Sequence, residues 1–306
     1  MMQSPAVATI PEAISVMQEL SSSLPTTDGV ACFNSMYLQV TEAVGAKLSE
    51  GAFVDPEFMD RLDVNFVNLY LRSYAAHGSQ GQVCRSWRTL FDRRDDDRVL
   101  PLQFALAGMN AHINHDLPLA VTMTSQELGR PPSARGVRED FLAVNAVLAE
   151  ADDAVRARLQ GPVAARLDEL AGPVDDVMAS WGIAQARDVA WGQALRLWEL
   201  REEQHRSARF LGALDSVVSL ASHCLLAPID VRGSRAADFL STAFGAVDDF
   251  GAGLLDALWG SDRDDDQPGP SLWDDDDGDD GVVDRVFARL RDFRRSDAGP
   301  VLAPTS

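Results

Sequence analysis

The stretch GMNAHINHDLPLAV, Gly108–Val121, crowds Asn110, His112, Asn114, His115 and Asp116 into seven residues. Its surroundings read as an apolar helix, so these groups could hold a metal, move protons or staple a helical core. With Gly108 at zero and about 100° per residue, His115 falls at about 340°, His112 at about 40° and Asp116 at about 80°. All three share one side, while Asn110 and Asn114 fall at about 200° and 240°, roughly opposite. Leu102, Leu106, Met109, Ile113, Leu117 and Ala120 fill the arc between. Burying such polar groups costs about 1–3 kcal/mol each without partners, so each cluster implies a satisfied network or a wet pocket. Pro118 cannot donate to the Asn114 carbonyl and disfavours helical geometry at Leu117, which predicts a kink just after His115 and Asp116.

Three chemistries fit these residue types. As a metal site, His112, His115 and Asp116 offer two nitrogens and an oxygen at compatible spacing, with Asp63 as a further ligand. Zn²⁺ would take three protein ligands and a water. No HExxH motif accompanies them, so a divalent metal is an option and no cofactor is required. As an acid–base site, His112 paired with Asp116 would titrate near neutrality and shuttle a proton. As a staple, the polar side chains would cross-link helices through hydrogen bonds.

The elements that must position these groups are helical from end to end, and strand-like alternation is almost absent. A first helix is predicted over about 11–20. A second follows Asp28 as cap, with Phe33, Tyr37, Val40 and Val44 along one side. In DPEFMDRLDVNFVNLYLRSYAAHG, Asp55 is a natural N-cap, Pro56 takes the first helical position and Gly78 follows the end. Phe58, Leu62, Phe66, Leu69 and Tyr70 share a face there. Asp63 lies at its edge beside Tyr70, whereas Asp60 turns outward. Pro101 opens the motif helix, and Ser133 caps the next, where Asp140 and Asn145 flank the arc of Phe141, Val144 and Leu148. Asp63, Asp140 and Asn145 are therefore the polar residues placed to face the motif helix. Two longer helices are predicted over about 163–180 and 183–226, the second stopped by Pro228.

Composition divides the chain further. Of 306 residues, 46% are hydrophobic, enough for a substantial core. The net charge is −20, and the segment Ser261–Gly281 carries about −9 of it through ten Asp and one Arg. Such a run repels itself and reads as a disordered acidic linker, without the EF-hand pattern of a calcium loop. The expected organisation is an N-terminal segment with a short helix (1–27), an all-helical, bundle-like domain (28–260), the linker (261–281) and an amphipathic tail helix with a disordered end (282–306). The tail could dock on its own domain or on a protein partner. The absence of a basic stripe argues against nucleic acid. No apolar run spans a bilayer and the N-terminus lacks a basic leader region, so a cytoplasmic protein without integral membrane contact is expected. Cys32, Cys84 and Cys224 read as buried thiols, His205 as solvated and His223 as a core histidine.

The stretches PLQFALAGMNAHINHDLPLAV, FMDRLDVNFVNLYL and REDFLAVNAVL together resemble an actinobacterial domain-of-unknown-function family with a Gly-Met-Asn-Ala-His-Ile-Asn-x-Asp-Leu signature. The resemblance covers roughly Ala31–Glu202 and implies an all-helical fold, with Asn110, His112, Asn114 and Asp116 as the family's motif. His115 stands at the variable position. No activity comes with the resemblance. A class I terpene synthase is disfavoured, since no DDxxD lies early in the chain. The residues point to a small-molecule enzyme of the lyase, isomerase or cyclase kind in bacterial specialised metabolism. His112 would be its acid or base and Asp116 would orient it, while Asn110, Asn114, Asp63, Asp140, Asn145 and Tyr70 would bind substrate. The alternatives are a metal-dependent hydrolase using His112 and Asp116 with Asp63 or Asp140, and a non-enzymatic helical scaffold.

Overall fold

The computed structural model describes residues 6–148 and 183–228, all within one compact unit. Every regular element among them is helical, with no strand. The predicted helix over 163–180, the acidic linker and the tail helix lie outside the described residues.

The elements are α1 (Ile10–Ser23), α2 (Gly29–Ser49), α3 (Pro56–Gly78), α4 (Arg85–Phe91), α5 (Pro101–Ala111), a π-helical turn (His112–Asp116) and α6 (Leu117–Leu128). They continue with α7 (described over 137–148), α8 (Ile183–Glu199) and α9 (Gln204–Leu225). Local chemistry explains the starts. The Asp28 carboxylate accepts the Val30 amide, and the Asp55 carboxylate accepts that of Phe58, with Pro56 at the first position. Gly129 takes φ +63° and ends α6 in the left-handed region.

Three expectations need correction. Ser133 does not cap α7, which begins after a turn closed by Gly136 at φ +87° against Val54. The helix expected over 183–226 is two. Leu200 is buried, but Arg201, Glu202 and Glu203 are exposed, and a helix with no apolar position to bury there reverses direction at little cost. The short α4, unmarked by any periodicity, stands between α3 and α5. The proline effect also takes another form: Leu117 keeps helical angles (φ −62°, ψ −43°) and its N–H reaches back five residues to the His112 carbonyl. An extra residue in the turn separates the Pro118 ring from the preceding carbonyls, so the rod widens instead of bending.

Residues 101–128 thus form one unbroken rod at the centre. Its α5 part packs on α2, α4 and α9, and its π turn on α3, α8 and α9. Its α6 part packs on α3 and α8. The approach of α2 to α5 depends on two glycines. A Cβ on Gly108 would fall 2.4 Å from the Phe33 ring, and one on Gly29 would fall 2.4 Å from the Phe104 ring. Each helix therefore seats a phenylalanine on the other's glycine, and Phe33 is carried against the motif. On the far side, Asn110 donates to the Val218 carbonyl and Ser222 hydroxyl of α9, while its oxygen accepts from Asn114. Gly108→Ala should cost about 1–3 kcal/mol by overpacking and lower the melting temperature by about 2–10 °C, read by calorimetry.

Candidate functional site

The motif is organised around Asp116, a carboxylate 2% exposed. Its Oδ2 accepts Trp87 Nε1–H at 2.8 Å and His112 Nδ1–H at 3.1 Å, and its Oδ1 accepts His115 Nδ1–H at 2.8 Å. An ionised carboxylate only accepts, so each imidazole carries its proton on Nδ1. Burial pushes Asp116 up, but the hydrogen bonds and charge of the two histidines outweigh it and hold the carboxyl below the usual range. Burial also pulls both imidazoles down. For His112 it prevails over Asp116, leaving the ring neutral. For His115 the hydrogen bond and charge of Asp116, joined by Asp215, prevail and raise the pKa. One carboxylate therefore shifts two imidazoles to opposite sides of the ordinary histidine range, and it holds both through Nδ1.

The free edge of His112 is the chemically interesting one. Its Nε2 is buried and has no hydrogen-bond partner. The ring stacks on Phe66 with centroids 3.5 Å apart and planes 5° apart, and Tyr37 meets its edge at 4.3 Å. Phe33 and Trp87 close in at 5.7 and 5.9 Å. These contacts leave the imidazole little freedom to turn.

His112, Phe33, Tyr37 and Phe66 line an apolar cavity of about 100 Å³, completed by α3, α7 and α8 through residues that include Asp63, Val144 and Arg187. Two more wall residues bring a buried polar atom without a partner, Asp63 Oδ2 and the Tyr37 hydroxyl. Thr41, beside that hydroxyl, donates its own proton to the Tyr37 carbonyl. Burial, followed by the charges of Asp63 and Asp116, drives the Tyr37 phenol well above its ordinary pKa and keeps it neutral. Burial, with the nearby Asp60 charge, raises Asp63 to about 7. The cavity therefore faces a neutral imidazole, a carboxyl that titrates at neutrality and a phenol.

The other predicted residues sit elsewhere. Asp140 accepts the Val54 and Asp55 amides at 2.8 and 2.6 Å, tying α7 to the start of α3. Asn145 accepts from Arg187 Nε, and that buried guanidinium, which burial lowers to about 10, also reaches the Phe141 carbonyl. Tyr70 is buried in the aromatic cluster and donates to Asn34. Asn110 bonds to α9 and Asn114 to Asn110, and neither is among the lining residues.

The ligand set His112, His115, Asp116 and Asp63 is not gathered around one point: both imidazoles spend Nδ1–H on Asp116, so neither turns an Nδ1 lone pair toward a shared ion. Among the described residues, the metal-competent group is Cys84, His115 and Asp215, of which the sequence reading had only His115. Cys84 is half-buried beside these two, not an isolated core thiol, and His223 is exposed. Trp87 was missed because seven helical residues carry too little periodicity to reveal a face. Tyr37 was legible only as a stripe residue.

Asp63 makes the stability pH-dependent. Its raised pKa means the folded chain holds a proton that the unfolded chain releases above about pH 4, so stability falls by about 1.4 kcal/mol per pH unit up to about pH 7. Asp63→Asn should raise the melting temperature at pH 8 by several degrees and change it little at pH 4, flattening that slope in thermal melts.

No curated protein and no solved structure matches the chain. No helix among the described residues is long and apolar enough to cross a membrane. A family model does match, over residues 10–228, which takes in the aromatic cluster, the cavity and the Asp116 network. The chain belongs to that family, DUF5995, a family of unknown function.

Proposed function

We propose that the chain is an enzyme that moves protons on a small, largely apolar molecule, in an isomerisation, elimination or cyclisation. His112 Nε2 is the base, and Asp116 fixes its tautomer and would stabilise the imidazolium formed when a proton is taken. Asp63, near its midpoint at neutral pH, returns a proton at a second position, and the Tyr37 hydroxyl donates a hydrogen bond to a polar group of the substrate. The observation that carries this reading is that three residues lining one apolar cavity each hold a buried polar atom without a partner. Each such atom costs about 1–3 kcal/mol when unserved, and a ligand's polar groups would recover that cost. The volume suits a small molecule or the reacting end of a larger one, since an engineered cavity of about 150 Å³ binds benzene.

The expected pH profile is bell-shaped. The acid limb, where His112 gains a proton, lies below the ordinary histidine range, and activity falls above about pH 7 as Asp63 loses its proton. The test uses deuterium. The protein is incubated in D₂O with a panel of small apolar ketones, enones and alkenes, and mass spectrometry reads incorporation. His112→Asn should lower incorporation by about 10²–10⁴-fold, with Asp63→Asn also impaired, while cavity ligands still raise the melting temperature of both variants. Cavity ligands that bind the wild type and never exchange a proton would contradict the proposal, as would exchange that survives in His112→Asn.

A further inference from the structure

On the other side of Asp116, three segments distant in sequence bring together a thiol, an imidazole and a carboxylate. Cys84 precedes α4, His115 lies in the π turn and Asp215 is on α9, and their ligand atoms lie within 4.8 Å of one another. We propose that Cys84 Sγ, His115 Nε2 and a carboxylate oxygen of Asp215 bind one thiophilic divalent cation of the zinc class, with water in the fourth position.

The geometry supports this in three ways. Bond lengths of 2.0–2.3 Å in a tetrahedral site set ligand atoms roughly 3.5 Å apart, so side-chain shifts of about 1 Å close the set. His115 is oriented as metal-bound histidines are: its Nδ1–H is spent on the buried Asp116 carboxylate at 2.8 Å, which leaves Nε2 as the ligand nitrogen, 3.9 Å from Asp215 Oδ1. Asp215 retains coordination capacity. It accepts the Arg85 amide and the amide and hydroxyl of Ser86, three bonds against about four lone-pair sites on a carboxylate. The Ser86 hydroxyl also lies 3.2 Å from Cys84 Sγ, so one small side chain touches both outer ligands.

A helix-capping role for Asp215 with no metal is the competing account, and a metal titration separates the two without reference to any enzymatic activity. Full-length protein stripped with a chelator is titrated with Co²⁺ under absorption spectroscopy and with Zn²⁺ by calorimetry. One equivalent should bind, with a thiolate-to-cobalt charge-transfer band and the ligand-field intensity of a four-coordinate ion. Cys84→Ser, a near-isosteric change, should abolish the charge-transfer band and weaken Zn²⁺ at least tenfold with the melting curve retained. Asp116→Asn, which unpins His115, should weaken it about 10–100-fold. Absence of saturable binding, or equal binding by wild type and Cys84→Ser, would overturn the site and leave the cluster as the joint between α4 and α9.

Discussion

Everything at the centre of this molecule depends on one buried carboxylate with three N–H donors. Asp116 is the meeting point of α4, through Trp87, and of both faces of the π turn, through His112 and His115. A buried charge is costly unless every lone pair finds a donor, and removing one partner from such a group typically costs about 3–5 kcal/mol. The aromatic cluster, the short helix α4 and the orientation of both imidazoles are therefore linked to a single ionisation state. The π turn allows this. By lodging an extra residue ahead of Pro118, it lets the rod run on while His112, His115 and Asp116 face one another at hydrogen-bonding distance.

The two imidazoles look outward from Asp116 in different directions. His112 joins an apolar cavity roofed by aromatic rings, where Phe33 is placed by its seat on Gly108 and Phe66 lies flat on the imidazole. His115 meets Cys84 and Asp215 at the edge of α9. Because the same carboxylate serves both, a change of charge at His115 alters how strongly Asp116 supports a proton on His112. Short range and low dielectric make that coupling strong. The asparagines play no part in it: Asn110 bonds to α9 and Asn114 donates to Asn110, as a staple would.

Much of this was legible in the residues, for physical reasons that differ from place to place. The caps Asp28 and Asp55 and the opening prolines act within one turn of chain, so type and spacing suffice to place α2, α3 and α5. The division of the motif into a His/Asp side and an Asn side follows from helical periodicity alone, and the hydrogen bonds respect it. Asp63 could be singled out because a carboxylate at the edge of an apolar stripe has nowhere to go except a pocket. What escaped depends on contacts distant in sequence. Trp87 reaches Asp116 across 29 residues, and Asp215 meets Cys84 and Ser86 across about 130, which no local pattern encodes. Pro118 marked the irregularity correctly, but whether strain becomes a bend or a widened turn is decided by neighbours that pack around the rod.

Base chemistry at His112 requires one bare nitrogen, and that nitrogen can be observed directly. Nitrogen-15 NMR of histidine-labelled protein resolves which ring atoms of His112 carry protons, with His112→Asn for assignment. At neutral pH the ring should be neutral and protonated on Nδ1, with Nε2 bare. A ring protonated on Nε2, or an imidazolium at neutral pH, would contradict it.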